Sequence, residues 1–276
     1  GLGVGLVCLV FDQYVVGFLV TILAILGSVI FGAIWGIIPG YLQAKRGSHI
    51  VITTIMFNFI AAALMVYLLV NVIIEPGQMS PETRDFASGV GLVQIHILAK
   101  YLGLEMAMSP LNLSFIVALT VSVGFWFLVW RTKFGYEVRS LGHSETAAIY
   151  AGIKVSSTII IVMAISGGLA GLVAINELLG VHNKLLLGFT AGYGFTGIAV
   201  ALMGRNHPVG IFLASLLFGA LYQGGTELDF EFSSITREMV LLIQGLIILF
   251  SGALAYMLNP LVERIYIKYY GNYNNA

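Results

Sequence analysis

Charge is what this sequence has least of. Of its 276 residues only 9% are Asp, Glu, Lys or Arg, where soluble domains carry about 25%. That deficit excludes an ordinary water-soluble fold. With 59% apolar residues and a mean hydropathy of +0.97, the integral membrane class remains. Lys plus Arg and Asp plus Glu each total 13, so nothing implies a polyanion-binding surface, and nucleic acid is not expected as a partner. The single cysteine, Cys8, excludes an internal disulfide. His49, His96, His143, His182 and His207 are scattered with no i,i+4 pair, so neither a metal nor a cofactor is expected. No G-x-x-x-x-G-K-[ST] stretch occurs, which excludes ATP hydrolysis on a P-loop of this chain. Gly1-Leu2-Gly3-Val4-Gly5 is not a dinucleotide loop, because no strand precedes it. With no catalytic constellation in view, the chain reads as something other than an enzyme. It also opens at Gly1 inside an apolar run, without initiator Met or signal-peptide layout. Residues 1–11 are therefore expected to be the end of a helix that starts further upstream, in a chain that is N-terminally incomplete.

What is present is a series of apolar runs of membrane-spanning length. Roughly 20 residues at 1.5 Å each cross a hydrocarbon core of about 30 Å. Residues 14–40, 49–74, 111–130, 157–179 and 237–258 meet that requirement. Gly32, Gly36 and Gly40, and again Gly167, Gly168 and Gly171, form small-residue seams where helix backbones can approach closely. Residues 193–203 and 209–223 flank the tight turn GRNHP at 204–208. The first of these pieces is too short to cross as a straight helix, and such broken helices occur where they are buried or line a cavity. The predicted fold class is all-α: a polytopic transmembrane helical bundle, one domain over residues 1–276, with short broken helices near residues 193–223. In the loop over 75–110, Ser80-Pro81-Glu82 predicts a helix start, and GLVQIHI at 91–97 predicts a segment lying along the membrane surface.

Alternating the loops from side to side sorts the charges. Residues 41–48, 131–156, 204–208 and the C-terminal tail hold Lys45, Arg46, Arg131, Lys133, Arg139, Lys154, Arg205, Arg264 and Lys268 against three acids. The other side holds Arg84, Lys100, Lys184, Arg237 and most of the acids. The positive-inside rule assigns the first side, with the C-terminus, to the cytoplasm.

The longest polar interruption on that side is RTKFGYEVRSLGHSETAAIYAGIK, residues 131–154. His143 or Ser144 is placed to cap a short helix beginning at Glu145, whose charge suits a helix N-terminus. That helix presents Ala147, Ala148 and Ala151, followed by Gly152, a small-residue surface that fits a groove on a partner. Glu137, Arg139 and Lys154 at its margins would fix the orientation. Inside the spans, the polar side chains Asn58, Asn176, Glu177 and Gln244 are costly and are candidate solute contacts. Interhelical hydrogen bonding is the competing reading. Tyr193 and Phe195 stand at the mouth of the broken-helix region, where aromatic faces can stack on a planar solute or simply pack.

Three stretches carry a resemblance: KRGSHIVITTIMFNFIA, residues 131–154, and GVHNKLLLGFTAGYGFTGIAVALMGRNHPVGI. Together they resemble the permease subunits of ABC importers for simple sugars, nucleosides and branched-chain amino acids, and most of all the nucleoside and simple-sugar branch. The resemblance implies a membrane subunit working as a pair, with the second permease subunit identical or different. It implies cytoplasmic ABC ATPase subunits, an extracytoplasmic solute-binding protein and a bacterial inner-membrane location in the lipid bilayer. It further implies that the loop at 131–156 is the coupling segment, with Gly135, Glu137, Arg139, Gly142, Ala147, Ala148 and Gly152 as coupling residues. Asn58, Glu177, Tyr193 and Phe195 are the expected solute contacts. Two alternatives stay open: a permease for branched-chain amino acids, and a secondary carrier driven by an ion gradient with Glu177 as its ion site. A membrane scaffold without transport is a third, which the short Gly-rich helices argue against.

Overall fold

Glycine decides where the helices of this protein meet. The computed structural model describes residues 1–231 other than 76, 88, 102 and 104–110, together with 239, 242–247, 249 and 250. Helix α1 spans Leu2–Phe11, α2 spans Gly17–Arg46 and α8 spans Val155–Gly171. A Cβ on Gly32 would overlap the carbonyl oxygen of Gly167, and a Cβ on Gly167 would overlap that of Gly32. One on Gly171 would overlap the carbonyl of Ser28, and one on Gly40 would come within 2.8 Å of the Met163 Cβ. Backbones this close exchange dispersion contacts that lipid tails cannot match, which is the force that holds helices together in a membrane. Gly3 of α1 sits in the same way against the Gly27 carbonyl of α2.

Helix α3 spans Ile50–Leu68 and runs on as a π-helical turn over Leu69–Ile73. After α4 (Ile95–Tyr101) come α5 (Ser114–Arg131), α6 (Lys133–His143) and α7 (Glu145–Tyr150). Beyond α8 a second π-helical segment covers Ile175–His182, then α9 covers Tyr193–Met203 and α10 covers Pro208–Glu231. Five of these stretches, over 17–46, 50–73, 114–131, 155–182 and 208–228, are long and apolar enough to cross a membrane. Among the described residues there is no strand, only the isolated bridges Glu82↔Leu186 and Gln94↔Asn112.

Contacts divide the chain into two compact units, residues 1–191 and 192–276. In the first, Val4 and Cys8 of α1, Val20 and Ala24 of α2, Leu69, Ile175 and Leu178 gather into a buried core. Residues 82–92 are tied down over it: the N–H groups of Thr83, Phe86 and Leu92 donate to the carbonyls of Leu185, Asn183 and Leu179 at 2.8–2.9 Å. That pairing corrects the helix start expected at Ser80-Pro81-Glu82. The backbone donors there are taken by a distant segment instead of a helical turn. By contrast, α3 and α5 bury none of their residues, so both present apolar faces outward.

Two boundaries differ from the sequence reading. The turn expected at 41–48 is helical as far as Arg46, because Leu42, Gln43, Ala44, Lys45 and Arg46 all favour helix. The stop comes at Gly47, in the left-handed region at φ 66°, where its N–H reaches the Gln43 carbonyl and that of Ser48 reaches Leu42. In the second unit α9 is the 11-residue helix expected, but α10 is a continuous helix of 24 residues and not the short piece expected over 209–223. Within its polar stretch Gln223 Nε2 donates to Glu227 Oε1 at 3.0 Å, an i,i+4 pair that supports the helix. The turn between α9 and α10 holds Arg205 and Asn206 at φ 52° and 53°, and Pro208 opens α10 at the position proline favours. The span predicted over 237–258 lies mostly outside the described residues and the tail after it wholly so. Gln244, which is described, is buried.

Candidate functional site

The polar segment over 131–156 is more structured than a connecting loop. Thr132 caps α6, its Oγ1 accepting the Gly135 N–H at 3.1 Å. Gly135 is buried, and a Cβ there would overlap the carbonyls of Leu128 and Val129 at the end of α5. Arg139 closes the same corner: its Nη1 donates to the Val129 carbonyl at 2.7 Å, and its guanidinium lies over the Trp130 ring at 6.0 Å. Helices α5 and α6 are thereby locked as one bent piece. At the next corner Ser144, and not His143, is the cap, accepting the Ala147 N–H at 3.3 Å.

The expected coupling residues fall into two groups. Gly135, Arg139 and Ala148 hold the shape, with Ala148 1% exposed and turned inward. Gly142, Ala147 and Gly152 are exposed, and Glu137 is half-buried. Sequence reasoning passed over Ile149 and Tyr150, which stand 56% and 93% exposed on α7. The available signal was their size within A-A-I-Y-A-G, two large side chains framed by small ones in a polar segment.

Of the four expected solute residues, Asn58 and Glu177 belong to the first unit and Tyr193 and Phe195 to the second. Asn58, near the middle of α3, is exposed, and its side chain makes no hydrogen bond among the described residues. Glu177 is buried in the π-helical segment, where Asn176 Nδ2 donates to its Oε1 at 3.0 Å. His182 lies five residues on, the π-helical repeat, with Nε2 3.9 Å from Glu177 Oε2. Asn176 Oδ1 in turn accepts from Asn112 Nδ2 at 3.1 Å and from Ser114 Oγ at 2.7 Å. This polar chain pins the first turn of α5 to the π-helical segment. In the second unit Tyr193 packs edge-on against Tyr222 of α10, ring centroids 6.5 Å apart, and Phe195 is 77% exposed. No group of three or more His, Cys, Asp or Glu positioned for a metal ion occurs among the described residues.

An ion pair that no sequence pattern suggested closes the end of the first unit remote from Lys45 and Arg46. Asp12, just past α1, takes both terminal nitrogens of Arg84 at 2.8 Å and the Ala87 N–H at 3.0 Å. The hydrogen bonds from Arg84 hold the Asp12 carboxyl below the usual carboxylate range against the opposing effect of burial. Beside it Lys184 reaches Glu82 at 3.0 Å, and that hydrogen bond holds the ammonium pKa above its ordinary value.

Five apolar helices of spanning length mark an integral membrane protein. The chain belongs to the family described as the branched-chain amino acid transport system / permease component, whose profile matches residues 2–252. It is 35% identical over 246 residues to the guanosine ABC transporter permease protein NupP of Bacillus subtilis, covering 88% of this chain and 68% of that one. Over 234 residues it is 31% identical to the glucose ABC transporter permease protein TsgB13 of Haloferax volcanii, covering 83% and 60%. Identity is also 31% over 229 residues to the nucleoside ABC transporter permease protein NupB of Lactococcus lactis, covering 83% and 62%. The chain thus spans between 60% and 68% of the length of these relatives. No solved structure matches it.

Proposed function

We propose that this protein is the membrane subunit of an ATP-driven importer and carries a nucleoside, with a simple sugar as the nearest competitor. The observation that carries the reading is the segment α6–α7. It is built as two capped helices, locked to α5 through Gly135 and Arg139, with Ile149 and Tyr150 standing out into water. Such a segment transmits force, because a push on α7 cannot be absorbed by a loose chain. In this reading the face bearing Lys45, Arg46 and α6–α7 is cytoplasmic, and partner ATPase subunits dock there, hydrolysing ATP on behalf of the permease. A second permease subunit completes the path across the bacterial inner membrane. A solute-binding protein delivers solute at the opposite end, where Asp12 and Arg84 lie.

Nucleoside is favoured over sugar by similarity to permeases named for guanosine and nucleosides. It is favoured as well by the side chains available. Tyr193 and Phe195 offer aromatic faces to a base. Asn58 offers an unengaged amide donor and acceptor in the middle of an apolar span, where an unsatisfied polar group is costly unless water or solute meets it. Glu177 is the remaining contact, held ready by Asn176. Uptake by proteoliposomes containing the whole transporter, loaded with ATP and offered labelled guanosine, tests the substrate. Unlabelled nucleosides should compete, glucose and ribose should compete weakly, and leucine should have no effect. Competition by leucine alone would reassign the protein to amino acid transport.

A further inference from the structure

The surface offered to the ATPase does not stop at α7. Across from α7 and the first turn of α8 lies the turn joining α2 to α3, and between them is a groove of about 760 Å³. Gly47, Ser48 and His49 form one wall, and Glu145, Ile149 and Lys154 the other. The walls are tied at the base, where Ser156 Oγ donates to the Ala44 carbonyl at 3.2 Å. Two features mark the groove as unfinished in the isolated chain. Among the described residues Ser48 Oγ is buried with no hydrogen-bond partner, a state a folded protein rarely leaves uncompensated. Both α3 and α8 also begin at the groove, after His49 and Lys154, and neither has a side-chain cap. Their first-turn N–H groups, which have no partner within the helix, thus receive none from a capping side chain and carry the positive ends of two helix dipoles.

Charge follows the same sign. Lys154 lines the groove against the single acid Glu145, and Lys45 and Arg46 are exposed in the last turn of α2, which leads into it. One wall continues directly into Ile149 and the exposed Tyr150. Large apolar and aromatic side chains exposed beside a polar recess form the anchor-and-rim arrangement of a protein interface. We infer that the groove between the α2–α3 turn and the α7–α8 corner is the second half of the ATPase docking site. It takes a carboxylate-bearing segment of that subunit while Ile149 and Tyr150 pack on its apolar surface. The inference rests on the coupling reading above and adds to it a footprint and a chemistry. It also changes where force enters the membrane. A segment seated in the groove bears on α2 and α8 directly, and these are the two helices fused along Gly32, Gly36, Gly167 and Gly171.

The test places the full-length permease pair, without its ATPase, in nanodiscs and measures binding of the purified ATPase subunit to three permease variants. Ser48→Trp fills the groove, Lys154→Glu reverses its charge, and Ala147→Trp obstructs α7 itself. Ser48→Trp and Lys154→Glu should each weaken ATPase binding roughly tenfold or more, as interface anchors do. A fourth variant, Ser48→Cys carrying a benzophenone label, avoids any folding defect from the tryptophan and should form a photo-adduct with the ATPase. Loss of binding with Ala147→Trp alone, and no adduct at position 48, would overturn the groove while leaving the coupling role of α7 standing. An adduct with phospholipid in place of the ATPase would overturn it too, making the groove a headgroup site. If none of the variants alters ATPase binding, the coupling reading itself fails and the groove with it.

Discussion

Asp12→Ala removes a carboxylate whose side chain has no solvent exposure and which accepts three hydrogen bonds, two from Arg84 and one from Ala87. Removing one partner of a fully buried ion pair costs about 3–5 kcal/mol, chiefly because the other charge is stranded. Here the stranding is partial. The Arg84 side chain is 31% exposed and keeps a hydrogen bond to the Leu9 carbonyl at 3.2 Å, so the freed guanidinium rehydrates. The expected loss is therefore about 2–3 kcal/mol, in the range of one or two hydrogen bonds to a charged group. Reversible unfolding in mixed micelles at pH 7 measures it, and Arg84→Ala and the double variant complete a cycle that isolates the pair. The pH dependence adds a second constraint. A carboxyl held below its ordinary value contributes fully above that value, about 3.9, and loses its contribution as pH falls through the depressed one. The gap between parent and Asp12→Ala should thus be constant from pH 7 to pH 5 and close only in strong acid. A variant indistinguishable from the parent at pH 7, or a gap already closed at pH 5, would refute the reasoning.

Gly167→Ala places a Cβ against the Gly32 carbonyl and should destabilise the protein by about 1–3 kcal/mol, the usual cost of overpacking. Gly124→Ala in α5, whose Cβ would meet nothing within 4 Å, should be neutral or stabilising by about 0.5–1 kcal/mol. Equal effects in the same unfolding assay would contradict the seam. Asn176→Leu deletes the acceptor shared by Asn112 and Ser114 and should free the first turn of α5. Amide exchange at residues 113–117 should quicken about tenfold or more, as a loss of 1.4 kcal/mol implies; unchanged exchange would show that α5 is held elsewhere.

What the sequence revealed, and what it hid, divides by range. The first four spanning runs, the glycine seams and the short α9 were legible because apolar length and four-residue spacing are local signals. Ser144 as a cap was legible for the same reason. The tie between Asp12 and Arg84, separated by 72 positions, was not, since nothing near either residue names its partner. Loop 82–92 misled through a sound local cue, Ser80-Pro81-Glu82, because distant carbonyls at 183–185 outcompeted the helical turn. The extension of α2 and the full length of α10 were hidden by polar residues that suit a helix end as well as a loop. At the candidate site the polar segment was legible along the chain, but its outward face was not. Alternation of small residues cannot say which alanine points inward, and Ala148 does while Tyr150 does not.

The central claim is that transport through this protein is driven by ATP hydrolysed on a docked partner. Proteoliposomes holding the complete transporter, assayed for guanosine uptake with and without internal ATP and then with ionophores that collapse proton and sodium gradients, test it most directly. The account predicts uptake that requires ATP, survives the ionophores and disappears when α7 is blocked by Ala147→Trp. Uptake that proceeds without ATP and collapses with the ion gradient would contradict it, and would make the buried Glu177 beside His182 the ion site of a secondary carrier.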